Sequence, residues 1–67
     1  MEIIINGHPH PVAEETSLAG AVSLIVSGGG QGVAAAVNGD VVRRAAWEST
    51  RLAAGDQVEV VTAVQGG

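Results

Sequence analysis

Two Asn-Gly dipeptides, at residues 6–7 and 38–39, each lie between apolar runs and constrain the fold of this 67-residue chain more than any other feature. Asparagine and glycine both tolerate the positive φ of a type I′ turn, whose twist matches that of an antiparallel strand pair. Each dipeptide therefore predicts a hairpin. The first is preceded by "MEIII", a β-branched strand over Met1–Ile5. "HPHPV" follows it, and its prolines confine the second strand to a sheet edge, because proline donates nothing to a ladder. The expectation is a loop longer than two residues and a strand over His10–Ala13. The second dipeptide, in "GVAAAVNGDVVRR", predicts strands over Val33–Val37 and Asp40–Val42.

Between the hairpins, "EETSLAGAVSLIVSGGGQG" reads as a helix. Thr16 or Ser17 can cap it, with Glu14 and Glu15 near its positive end. Leu18, Ala21, Val22 and Ile25 follow the spacing of one apolar face, and Leu24 lies at its margin. Ser27 and the glycines at 28–30 should end the helix through a left-handed cap. After the second hairpin, "AAWEST" predicts a short helical turn anchoring Trp47 in the core. "AAGD" predicts a turn, and the last strand should run over Gln57–Val64. The resulting class is α+β, a mixed sheet of about five strands with one main helix packed on one face. Residues 1–64 should form the domain, with 65–67 as a flexible tail ending in diglycine.

Strand alternation divides the side chains between two faces. Met1, Ile3, Ile5, Val33, Ala35, Val37, Val58, Val60, Thr62 and Val64 form the richer set and should meet the helix. Ile4, Ala34, Ala36, Val61 and Ala63 are left for the opposite face, which no second layer in so short a chain covers. That face suggests a docking surface for a partner, against the alternative of ordinary scattered apolar exposure.

The composition narrows function by what it omits. There is no cysteine, tyrosine or lysine among the residues, which excludes a thiol nucleophile and leaves few acids and bases. A chain this small has little room for a water-excluding pocket, so an enzyme is not expected. The net charge is −4 with three arginines, which argues against nucleic-acid binding and suits a partner with a basic face. No apolar run approaches a membrane span and the start lacks a basic leader, so no membrane role and a cytoplasmic location are expected. His8 and His10 lack a third ligand and read as solvated turn histidines, with no metal site. The glycines at 28–30 follow a helix and lack a P-loop lysine, so they read as a connection. Arg43 and Arg44 read as solvated, the alternative being contacts to acids on a partner.

The order strand, strand, helix, strand, strand, strand is that of the β-grasp, the ubiquitin-like roll. The sequence resembles more closely the ThiS-type sulfur carriers of thiamine biosynthesis. The resemblance rests on "IIING", "AVNGDVV", the tryptophan shortly after it, and the closing "GDQVEVVTAVQGG". It departs at Arg43, where "VVRR" stands in place of a frequent "VVPR".

The resemblance implies a protein co-substrate whose working group is the carboxylate of Gly67. An E1-like adenylyltransferase would activate that carboxylate with ATP and magnesium, neither being bound by the carrier itself. Sulfur from a donor such as a cysteine desulfurase would then form a thiocarboxylate, which thiazole synthase would use. Gln65, Gly66 and Gly67 would enter the partner's active site, and glycines lacking a Cβ suit a narrow channel. Alternatives are a molybdopterin-synthase-type carrier, a ubiquitin-like modifier, or a β-grasp interaction module with an incidental diglycine.

Overall fold

A computed structural model of the chain describes residues 1–27 and 31–62. Strand β1 (Glu2–Ile5) and strand β2 (His8–Pro11) form the first hairpin, and helix α1 spans Leu18–Ile25. Strands β3 (Val33–Val37) and β4 (Asp40–Val42) form the second hairpin. A 3-10 turn over Arg44–Ala46 and the last strand, β5 (Gln57–Thr62), follow. The five strands form one mixed sheet in the order β2-β1-β5-β3-β4. Strand β5 lies in the centre, parallel to β1 and antiparallel to β3. This is the β-grasp arrangement that the Asn-Gly pairs and the intervening helix predict.

Both hairpins turn in two residues with positive φ, 51° and 83° at Asn6 and Gly7, and 49° and 89° at Asn38 and Gly39. The first loop is therefore shorter than expected, and β2 occupies His8–Pro11 instead of His10–Ala13. The prolines permit this because of where they fall in the register. Pro9 and Pro11 pair with Ile4 and Glu2. The main chain of Met1 bonds that of Val12, at 2.7 and 2.8 Å, so the inward-bonding positions of β2 alternate as 8, 10 and 12. Pro9 and Pro11 thus face the open edge, where a missing N–H costs no ladder bond.

Ser17 caps α1, its hydroxyl accepting from the Gly20 N–H at 3.1 Å. Of the four residues expected on the buried stripe, Leu18, Ala21 and Val22 are buried but Ile25 is 44% exposed, and Leu24 is 54% exposed. Eight residues make little more than two turns. Ile25 is the last residue of the helix and stays open to solvent although its spacing puts it on the buried stripe. Its C-cap is Val26 in extended conformation, with its N–H on the Val22 carbonyl, in place of a cap at Ser27. The glycines at 28–30, the end of the expected last strand at 63–64 and the tail at 65–67 lie outside the described residues.

The core is one cluster: Ile3, Ile5, Ala35, Val58 and Val60 from the sheet meet Leu18, Ala21 and Val22 from α1, with Trp47 and Leu52 closing the side. Trp47 is buried as predicted, and its indole N–H donates to the Val42 carbonyl at 2.8 Å. The segment around it is tied to the helix start, where the N–H groups of Leu18 and Leu52 reach the Thr50 and Thr16 carbonyls.

Candidate functional site

The sheet face turned away from α1 is the site that the alternation singles out. Register fixes its members, because residues directly opposite one another in a ladder share a face. Ala34 stands opposite Val61, and Ala36 stands opposite Glu59 on one side and Val41 on the other. Ile4 is aligned with Gln57 across the parallel pair. Ile4, Ala34, Ala36 and Val61 therefore do lie on one face, spread over three adjacent strands. Ala63 lies outside the described residues.

Exposure varies across this face. Val61 is 62% exposed and Val41 80% exposed, Ala34 is exposed, and Ile4 and Ala36 are half-buried. Val41 and Glu59 belong to the same patch and border a shallow hollow of about 150 Å³ with Ala34, Ala36 and Val61. Sequence reasoning left both out of the surface. The signal was present, since alternation already groups Glu59 with Val61, and the turn at Asn38-Gly39 places Val41 opposite Ala36. The small alanines leave the centre of the patch low, with branched valines and one carboxylate around it.

The other candidates separate cleanly. His8 and His10 sit in β2 and not in a turn, opposite Ile5 and Ile3, so they share the helix-side face at the sheet edge. Among the described residues no group of three metal-ligating side chains occurs. Arg43 is exposed at the end of β4. Arg44 borders a groove on the helix side with Ala19, Trp47 and Glu48. No helix among the described residues is long and apolar enough to cross a membrane.

Asn6 and Asn38 were read only as turn formers, and both have a second role. The Asn38 side chain accepts from the Gln57 N–H at 3.0 Å and donates to the Asp56 carboxylate at 3.1 Å. The Asn6 side chain accepts from the Val60 N–H at 2.9 Å and donates to the Val60 carbonyl at 3.1 Å. Together they hold β5 at its first residue and near its last described one.

A five-stranded mixed sheet, one helix on one face, a bare apolar opposite face and a central final strand define a ubiquitin-like β-grasp protein. Within that class the particular relationship is clear. The model of the ThiS family matches residues 3–67, and the chain belongs to that family. It is similar to the crystal structure of a thiamine biosynthesis protein (ThiS) from Geobacter metallireducens, at 30% identity and a TM-score of 0.80, with all of both chains covered. It is similar also to an NMR solution structure of a thiamine biosynthesis protein from the same organism. There the identity is 33% and the TM-score 0.78, over all of this chain and 88% of the other. No curated protein matches at a significant level.

Proposed function

We propose that this protein is the sulfur carrier for thiazole formation in thiamine biosynthesis, a co-substrate and not a catalyst. The observation that carries the reading is the family match, which runs along the fold and through Gly67. The described residues offer a scaffold consistent with it: a core on one side of β5, an open face with apolar residues on the other, and the chain continuing from β5 toward Gly67.

In this reading the Gly67 carboxylate attacks the α-phosphorus of ATP in an E1-like adenylyltransferase and releases pyrophosphate. The partner's magnesium and basic groups offset the charge of the nucleotide. The acyl-adenylate is electrophilic because AMP is a good leaving group. The terminal sulfur of a persulfide, carried by a donor such as a cysteine desulfurase, adds to the acyl carbon and expels AMP, and a thiol then cleaves the S–S bond of the resulting acyl disulfide, becoming oxidised to a disulfide and releasing the thiocarboxylate. The thiocarboxylate then delivers its sulfur to thiazole synthase. The carrier contributes position. Ile4, Ala34, Ala36, Val61 and Ala63, with Val41 and Glu59 beside them, form the docking face, while Gln65, Gly66 and Gly67 reach the nucleotide.

The test is the intact mass after incubation with ATP, a sulfur donor and the cognate activating enzyme. A gain equal to sulfur replacing one oxygen is expected, and deleting Gly67 should abolish it while leaving thermal unfolding unchanged. Absence of the gain with a demonstrably active partner would reduce the protein to an interaction module. Delivery to thiazole synthase, as opposed to a molybdopterin precursor, decides the pathway.

A further inference from the structure

The parallel ladder between β1 and β5 continues beyond the point where the main chain of β1 has left it. The Ile4 N–H donates to the Asp56 carbonyl and the Asn6 N–H to the Val58 carbonyl, each at 2.9 Å. The next rung would need a carbonyl facing the Val60 N–H and an N–H facing the Val60 carbonyl. Asn6, with φ at 51°, has already turned toward β2. Its carboxamide supplies both groups instead, bonding the Val60 N–H at 2.9 Å and the Val60 carbonyl at 3.1 Å. A side-chain amide has the same donor and acceptor as a peptide group, so it can stand in for one. Past this rung the described part of β5 is paired only with β3, through Val61 with Ala34 and Thr62 with Val33.

We infer that Asn6 is a positioning residue for the reacting end of the chain: its carboxamide fixes the main chain of Val60, on the β1 side of the strand from which the chain runs on toward Gly67. Val60 is the last buried residue of β5. Val61 and Thr62 continue β5 beyond that anchor in its ladder with β3. The inference rests on the carrier function proposed above, since only then does the anchor have a chemical consequence. A reactive end displaced by about 1 Å loses rate steeply in an active site built for one geometry.

The variant that isolates this role is Asn6→Gly. Glycine adopts positive φ freely, and Gly-Gly forms the same type I′ turn. It removes both the acceptor for the Val60 N–H and the donor to the Val60 carbonyl. Two measurements are made on the full chain. The first is amide hydrogen exchange at Val60 and Val58. Exchange at Val60 should quicken by about five- to tenfold, the equivalent of one hydrogen bond, with Val58 changed less. The second is steady-state adenylation by the cognate enzyme with the carrier as varied substrate. The kcat should fall by about five- to tenfold while KM stays within about twofold, because the docking face is untouched.

Faster exchange with kcat unchanged would overturn the positioning role and leave Asn6 a structural clamp. A rise in KM alone would also overturn it, assigning Asn6 to docking. Unchanged exchange at Val60 would refute the clamp itself. If the wild-type chain is not adenylated by an active enzyme, the carrier reading fails and the positioning role falls with it, while the exchange result still decides the clamp.

Discussion

Ile3 and Ile4 are adjacent, chemically identical and placed on opposite faces of the same strand. Ile3 is fully buried beneath α1, whereas Ile4 is half-buried on the face that no other element of the described structure covers. The same contrast runs through the sheet, with Val60 buried beside an exposed Val61 and Ala35 buried beside an exposed Ala34. Both faces are apolar, so hydrophobicity does not tell them apart. What separates them is the second layer, because one helix and the segment around Trp47 can cover only one side. Side-chain size follows the division. On β3 and β5 the covered face holds Val33, Val37, Val58 and Val60 around Ala35, and the open face has Ala34 and Ala36 at its centre, where exposure costs little. The large apolar residues that remain open, Val41 and Val61, lie beside Glu59 and could each gain about 1.5–3 kcal/mol if a partner buried them fully.

The strongest way to break this comparison is to truncate the neighbouring isoleucines separately. Ile3→Ala should cost about 2–5 kcal/mol, the range for emptying a packed core site. That is a large share of the stability of a domain of this size, for which about 3–10 kcal/mol is ordinary. Ile4→Ala should cost about 1 kcal/mol or less, since only part of its area is withdrawn from water. Urea unfolding of both variants gives the answer directly. Equal losses would show that the open face is packed as tightly as the covered one.

A smaller effect on stability, paired with a larger one on association, comes from making the open face polar without changing its shape. Val41→Thr with Val61→Thr keeps both side chains β-branched and should alter folding stability by no more than about 0.5 kcal/mol. Binding to the activating enzyme should weaken by about tenfold or more if these valines sit at the centre of the interface. Titration calorimetry against the enzyme, with thermal unfolding as control, measures both. Unchanged affinity would move the docking surface elsewhere.

What the sequence discloses about the two faces depends on how locally each feature is determined. The second Asn-Gly turn, the central alternation and the buried Trp47 follow from neighbours a few residues away and appear as expected, whereas the first Asn-Gly loop is tighter than expected. The start of β2 differs with it, because "HPHP" carries a penalty for a strand only if its prolines face a neighbour, and here the register turns them to the open edge. Ile25 fits the helical stripe in spacing, yet spacing cannot tell that the last position of the helix stays exposed. The second role of Asn6 was the least legible. Its partner, Val60, is separated from it by 54 residues, and only the parallel pairing of β1 with β5 brings them together. The open face was legible as a set of residues, while Val41 joined it only once the short β4 had a register.

The smallest predicted effect concerns the point where the chain passes from one side of the sheet to the other. Arg43 follows edge strand β4 and leads into the 3-10 turn next to Trp47, which packs in the helix-side core. Its backbone has φ −66° and ψ 149°. Proline locks φ near −65°, so the position already holds the conformation that a proline would impose. The preceding Val42 is in a strand, as a residue before proline prefers. Val42 pairs with Ala35 and Asp40 with Val37, so by alternation the Arg43 N–H faces away from β3 and a proline there breaks no ladder bond. Arg43→Pro should therefore stabilise the domain by about 0.4–1 kcal/mol, through the lost freedom of the unfolded chain. The gain should appear as a higher urea midpoint with an unchanged slope. A loss of stability would mean that the arginine side chain makes a contact worth more than that entropy, and that the passage between the faces is held by charge as well as by backbone shape.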